Sequence, residues 1–103
     1  MSAPEHVRHE WEQSARLLEA SSSDTGRYHA LLDQLETVTA ELRKRIGQTY
    51  TLADLAHAYP QAERWAAAAL AETDAPAWWP HTLSTVVGAA FQRYARGALD
   101  YRP

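Results

Sequence analysis

The clearest helical pattern in the chain lies in the segment Thr25–Ile46, TGRYHALLDQLETVTAELRKRI, and it indicates the class of the fold. Its apolar side chains recur every three or four residues, so they lie on one face of an α-helix. They are Tyr28, Leu31, Leu32, Leu35, Val38, Leu42 and Ile46. From Leu31 onward the main stripe follows spacings of four, three and four residues, the rhythm of a coiled-coil seam. Basic residues 43–45 fill the last turn, where cations meet the negative end of the helix dipole, and Gly47 suits the C-cap.

The helical pattern continues on both sides of this segment. Apolar periodicity predicts helices over 4–20, 25–46, 52–59, 61–72 and 81–99. Val and Ile are few, and no stretch alternates apolar and polar residues over five positions, so strands are not expected. The 103 residues are enough for one hydrophobic core. The sequence therefore predicts an all-α single domain over 1–103, a small bundle of about five helices, with flexible ends at 1–3 and 100–103.

Local signals set the helix boundaries. Ser21–Gly26 consists of turn-forming residues and separates the first two helices. Thr51 and Asp54 have the spacing of a capping box at the start of the third helix. Pro60 disfavours helical geometry at the residue before it, so we expect a turn there between two short helices. Gly88 costs the last helix about 1 kcal/mol relative to alanine and permits close packing. The expected core contains Val7, Trp11, Leu18, Leu31, Leu35, Val38, Leu42, Leu55, Trp65, Leu70, Leu83, Val87, Phe91 and Tyr94.

Composition excludes several classes of protein. The chain has no cysteine, which excludes a disulfide scaffold, a thiolate zinc site and a cysteine nucleophile. A net charge of −3 at pH 7 argues against broad binding of nucleic acid or anionic membranes. The first residues lack a signal-peptide pattern and no apolar run could span a bilayer, so we expect a cytoplasmic protein without a membrane partner. Abundant alanine, with Lys44 as the sole lysine beside nine arginines, is typical of GC-rich bacterial genomes.

Catalytic motifs are also missing from the sequence. There is no glycine-rich phosphate loop, no Gly-x-Ser-x-Gly, no His-Glu-x-x-His and no Walker lysine. We therefore expect a protein that is not an enzyme and carries no cofactor.

A proline-bounded pair of tryptophans is the most informative local feature. Trp78 and Trp79 lie in the segment Ala75–Pro80, and adjacent side chains point in different directions. Either one indole packs as a lid with the other partly covered, or both form a rigid anchor for a partner, because tryptophan is enriched at interface hot spots. We predict a non-enzymatic adaptor or regulatory protein that binds a protein partner or a second copy of itself. Trp78 and Trp79 are the expected contact, with Arg43 and Arg45 on the long helix as a second surface.

Residues 51–71 suggest an alternative function. Their opening, Thr-Leu-Ala-Asp-Leu-Ala, resembles the first helix of many bacterial helix-turn-helix regulators. The resemblance implies a DNA contact through Gln61 and Arg64 on the second helix. The other exposed positions there are Glu63 and alanines, which hold a polyanion poorly, so nucleic acid is a less expected partner than protein.

A metal- or small-ligand-binding helical domain is the remaining alternative. His6, His9 and Glu10 have i, i+3 and i+4 spacing and so share one helical face. Asp54 and His57 form a second, smaller group with carboxylate-x-x-His spacing.

Overall fold

The computed structural model describes residues 3–102, with side chains from residue 6 onward. Over this range the chain forms four α-helices, one short 3₁₀ helix and no strand. The α-helices are α1 (Ala3–Glu19), α2 (Thr25–Ile46), α3 (Leu52–Ala71) and α4 (Trp79–Ala95). The 3₁₀ helix, Ala20–Ser23, occupies the serine-rich break. The predicted all-α bundle is confirmed.

The last helix, α4, is the centre of the bundle. All seven residues of 86–92 are buried, although they lie on every side of the helix. A helix buried around its whole circumference needs neighbours on every side, and α4 packs against α1, α2 and α3. It begins at Trp79 rather than at 81 because Pro80 is compatible with the first turn of a helix. It ends at Ala95 rather than at 99.

The contact between α1 and α4 depends on Gly88. A Cβ atom added to Gly88 would lie 2.6 Å from the Cβ of Ser14 and closer still to the Ser14 hydroxyl. Two helices can approach this closely only where one presents no side chain. The close packing predicted from Gly88 is confirmed.

Pro60 lies inside a continuous helix, so the turn predicted between 52–59 and 61–72 is wrong. Both segments belong to α3. Leu55 before the proline and Ala62 after it are fully buried on the same side of the helix. The burial of α3 along its length outweighs the local cost of an interior proline, about 3 kcal/mol. The Thr51–Asp54 capping box is present at its start.

The seam of α2 is used within the chain. Its apolar positions from Leu31 to Leu42 that follow the four-three-four rhythm are all buried. A second copy therefore cannot pack on this seam while the monomer stays folded. The helix ends at Ile46, and Gly47 follows it with a φ of 88° that is strained for any residue with a Cβ, which confirms the predicted C-cap.

The core agrees with the sequence at most positions. Ten of the fourteen expected residues are buried: Trp11, Leu18, Leu31, Leu35, Val38, Leu42, Leu55, Leu70, Val87 and Phe91. The other four, Val7, Trp65, Leu83 and Tyr94, are partly buried and pack against that core.

Residues 100–102 of the C-terminal segment make specific contacts with α1 and α3. The Asp100 carboxylate accepts a hydrogen bond of 2.9 Å from the backbone N–H of Leu52 and so completes the cap of α3. Arg8 of α1 lies 5.0 Å from the centre of the Tyr101 ring and donates to the carbonyl of Arg102 at 2.9 Å. Residues 1, 2 and 103, which belong to the expected flexible ends, lie outside the described range.

Candidate functional site

The tandem tryptophans lie where α4 begins, beside the first turn of α2. Both are partly buried against the core, so neither is a fully covered side chain and neither is a fully exposed anchor. The guanidinium of Arg27, the third residue of α2, lies 4.4 Å from the centre of the Trp78 ring. We call the group Arg27, Trp78 and Trp79 the tryptophan corner.

Local sequence holds the tryptophan corner in place. The N–H of Trp79 donates to the carbonyl of Pro76 at 2.9 Å, which closes a turn just before α4. Asp24 caps α2 by accepting from the N–H of Arg27, so this arginine is fixed at the first turn. The indole of Trp78 is therefore supported by the first turns of two helices, α2 and α4, rather than by a long loop.

A cavity of about 410 Å³ adjoins this corner. It lies between α2 and the connection from α3 to α4. Its lining comprises Gly26, His29, Ala30, Asp33, Gln34 and Thr37 from α2, with Leu70, Thr73, Asp74, Ala75 and Pro76. We call it the Gln34 pocket, because Gln34 is 2% exposed and is its most buried polar residue.

The polar groups of the Gln34 pocket are mostly acceptors or already engaged. Asp33 and Asp74 are exposed carboxylates at its rim. The hydroxyls of Thr37 and Thr73 donate to backbone carbonyls of their own segments. The Oε1 atom of Gln34 accepts from the Thr82 hydroxyl at 3.3 Å, whereas its Nε2 has no partner among the described residues. An unpaired buried amide group costs roughly 1–3 kcal/mol.

The pocket combines polar acceptors with an apolar wall. Two carboxylates stand above an apolar wall that includes Leu70, which is 1% exposed. This combination fits a group with a cationic end and an apolar stem.

The second predicted surface lies at the other end of α2. Arg45 stands 18 residues from Arg27, roughly 27 Å along the helix axis. Its guanidinium lies 5.0 Å from the centre of the Trp65 ring and its Nε is 3.5 Å from a carboxylate oxygen of Glu41. Arg43 is exposed. The structure does not bring Arg43 and Arg45 together with the tryptophan corner.

The residues expected to contact DNA lie on the exposed side of α3. Gln61 and Arg64 are both exposed. Gln61 shares a cavity of about 230 Å³ with Arg45 and Trp65, a neighbourhood that the sequence does not predict. Because Pro60 does not interrupt α3, the predicted helix-turn-helix outline over 51–71 is not formed.

The first group of residues in the metal alternative lies on α1, whereas Asp54 and His57 lie on α3. His6, His9 and Glu10 are exposed, and Glu10 accepts a hydrogen bond of 3.3 Å from the Tyr59 hydroxyl. Within the described residues, no three potential ligands of the His, Asp or Glu type stand close enough to hold a metal ion.

A second buried amide lies on the opposite side of α2. Gln92 of α4 is 5% exposed, and its Oε1 has no partner among the described residues. It lines two neighbouring cavities of about 290 and 420 Å³. The charged residues around them, including Glu19, Arg16 and Arg96, have both signs. The mixed charge selects no class of ligand.

No family model, curated protein or solved structure matches this chain. Over residues 3–102, none of the helices combines the length and the apolar character that crossing a membrane requires. The interpretation of the site therefore depends on its own geometry.

Sequence reasoning locates the tryptophans but misses the pocket beside them. One signal is visible in the sequence, because Gln34 stands three residues after Leu31 and four before Val38, on the apolar stripe of α2. A polar residue at such a position is buried and needs a partner. No such signal predicts that Asp74 lines the same pocket as Asp33, because its position depends on the path of the connection after α3.

Proposed function

We propose that this chain is a non-enzymatic adaptor or regulatory protein of the bacterial cytoplasm, and that its tryptophan corner binds a protein partner. The supporting observation is the partly buried indole of Trp78 beneath the guanidinium of Arg27, 4.4 Å away. Tryptophan and arginine are enriched among the residues that dominate interface energies.

The support given to Trp78 by the fold favours binding. Ordering a side chain at an interface costs about 0.5–1.5 kcal/mol. Trp78 is already packed against the core, so most of that cost is met when the chain folds. Its remaining exposed surface is a preorganised apolar patch with a cation at its edge.

Affinity capture with matched tryptophan variants tests the proposal. Tagged wild-type protein, Trp78→Ala and Trp65→Ala are compared in lysate of the source cells. Trp65 is the matched control, because it is also partly buried and also covered by an arginine. Circular dichroism confirms that each variant is folded.

The expected result is a protein that saturably binds the wild type and Trp65→Ala. We expect its affinity for Trp78→Ala to fall about 30-fold, which corresponds to about 2 kcal/mol. Equal binding to Trp78→Ala, or loss with Trp65→Ala alone, contradicts the proposal.

A further inference from the structure

We propose that the Gln34 pocket binds the cationic end of a lysine or arginine side chain, so that the partner presents a basic segment to the tryptophan corner. This inference rests on the proposed function and names the chemistry of the partner. It goes beyond the tryptophan contact, because it assigns a separate subsite to a separate set of residues.

The hydroxyl of Thr82 lies within hydrogen-bond distance of two acceptors. That oxygen lies 3.2 Å from the carbonyl of Trp79 and 3.3 Å from Oε1 of Gln34, and both contacts require it to donate. A threonine hydroxyl has one hydrogen, so it cannot serve both acceptors fully. It does, however, have lone pairs with which it can accept.

Rotating the Gln34 amide by 180° resolves this conflict. Nitrogen and oxygen exchange places in nearly the same volume, and their assignment follows from the hydrogen-bond network. Nε2 then donates to Thr82 Oγ1, which donates to the carbonyl of Trp79. The amide oxygen takes the position that has no partner among the described residues. The unpaired amide atom of Gln34, a residue that lines the pocket, is then an acceptor rather than a donor.

The Gln34 pocket also carries negative charge. The carboxylates of Asp33 and Asp74 line the same pocket from different segments, one from α2 and one from the connection after α3. With the amide oxygen they form a set of acceptors. An ammonium or guanidinium group carries donors and no acceptor, so it satisfies such a set without leaving a polar group unpaired.

The size and the walls of the Gln34 pocket suit a single long side chain. A volume of about 410 Å³ is at the small end of ligand pockets and accommodates one long side chain. Leu70 and Pro76 provide apolar walls for the stem. Arg27 carries the nearest cation of the corner and is held over the Trp78 ring, while His29 lines the pocket and is exposed.

Titration with side-chain analogues, followed by nuclear magnetic resonance, tests the inference. The probes are n-butylammonium and ethylguanidinium, with butyrate as the anionic control and n-butanol as the neutral one. The signals to follow are the side-chain NH₂ group of Gln34 and the backbone amides of 29–37 and 73–75. Millimolar concentrations are required, because exposed ion pairs contribute little individually.

We expect both cations, but neither control, to shift these signals saturably. Asp33→Asn/Asp74→Asn should weaken the cation affinity at least about fivefold. The matched variant is Glu12→Gln/Glu63→Gln, which removes the same charge from α1 and α3 away from the pocket and should bind like the wild type. Equal shifts with butyrate, no saturable shift, or full binding by the Asp33→Asn/Asp74→Asn variant overturns the inference.

The test is separable from that of the proposed function. If Trp78→Ala abolishes capture of a partner while the pocket ignores the cations, the inference fails and the adaptor function stands. If the pocket binds the cations but no partner depends on Trp78, the proposed function fails, and with it the assignment of the pocket to a partner's side chain. A partner that requires both Trp78 and the Asp33–Asp74 pair supports both.

Discussion

At the residue scale, single atoms decide how closely α1 and α4 approach. Gly88 is buried and faces Ser14, and the space between them is smaller than one methyl group. The fold thus tolerates the low helix propensity of glycine at the centre of its central helix, because any side chain there would separate the two helices.

Gly88→Ala should lower the free energy of unfolding by about 1–3 kcal/mol, the usual cost of overpacking a core. Urea denaturation measures it. Gly26→Ala is the matched control, because a Cβ at Gly26 meets no atom within 4 Å. That change should be neutral or stabilising by up to about 1 kcal/mol. A Gly88→Ala variant as stable as the wild type would show that the helices do not pack this closely.

Tyr59 is the residue whose titration reports most directly on the core. Burial, together with the hydrogen-bonded carboxylate of Glu10 and the charge of Glu63, raises the pKa of its hydroxyl to about 12. Its ring packs against Trp11 at 5.5 Å and Phe91 at 5.1 Å between ring centres. The neutral phenol is therefore favoured in the folded chain.

The raised pKa predicts the direction of a pH dependence. In the unfolded chain this group titrates at 10.0. Its contribution to stability is fully present below that pH and is lost as the pH rises through about 12. Absorbance of tyrosinate should show late titration that decreases by one tyrosine in Tyr59→Phe, and Glu10→Gln should shift that component to lower pH. Late titration of unchanged amplitude in Tyr59→Phe would assign that component to another tyrosine.

Among the helices, α3 shows that burial can outweigh the local effect of a proline. The residue preceding a proline is biased away from helix, and that bias predicts two helices. The structure forms one, because Leu55 and Ala62 are buried on the same side and Tyr59 fills the space between α1 and α4. Such long-range burial has no counterpart in the short window around Pro60.

Pro60→Ala should stabilise the protein. It restores a backbone N–H donor inside α3 and removes a clash, a gain of up to about 3 kcal/mol. The more flexible unfolded chain offsets about 0.4–1 kcal/mol of this. Thermal or urea unfolding should show a net increase of about 2 kcal/mol. Ala67→Gly in the same helix is the opposite control, and a loss of stability in Pro60→Ala would contradict an uninterrupted α3.

Periodicity in the sequence is sufficient to predict α1, α2 and α4, because each buries one or more faces at helical spacing. It also predicts the seam of α2, but not which partner that seam meets. From the sequence alone, Leu31 and Val38 are equally suited to packing against a second copy or against the rest of the chain. In the structure both are buried within the chain. The Gln34 pocket requires the connection after α3 to be placed, which periodicity does not do.

At the scale of the whole molecule, α4 organises the bundle and leaves α2 with a polar outer side. The radius of gyration, 13.1 Å, is that of an ordinary domain of this length. The large apolar residues exposed in the described chain are Leu17 and Leu99, which lie on different segments. Isolated exposed leucines are normal on soluble surfaces.

These features predict a monomer. Sedimentation equilibrium at tens of micromolar should give the mass of one chain, 11.5 kDa. The coiled-coil rhythm of α2 alone would predict a dimer, but its seam is occupied within the chain. A concentration-dependent dimer would contradict this prediction.

We propose that the tryptophan corner contacts a protein partner in the cell. A photo-crosslinker placed beside this corner is the measurement that tests the contact. Ala77→p-benzoylphenylalanine leaves Trp78 intact and uses an exposed position. Leu17→p-benzoylphenylalanine, on α1 and 58% exposed, is the control. We expect position 77 to form an ultraviolet-dependent adduct of one defined mass. This adduct should be lost when Trp78→Ala is added, and position 17 should not form it. No adduct at 77, or the same adduct from both positions, would contradict it.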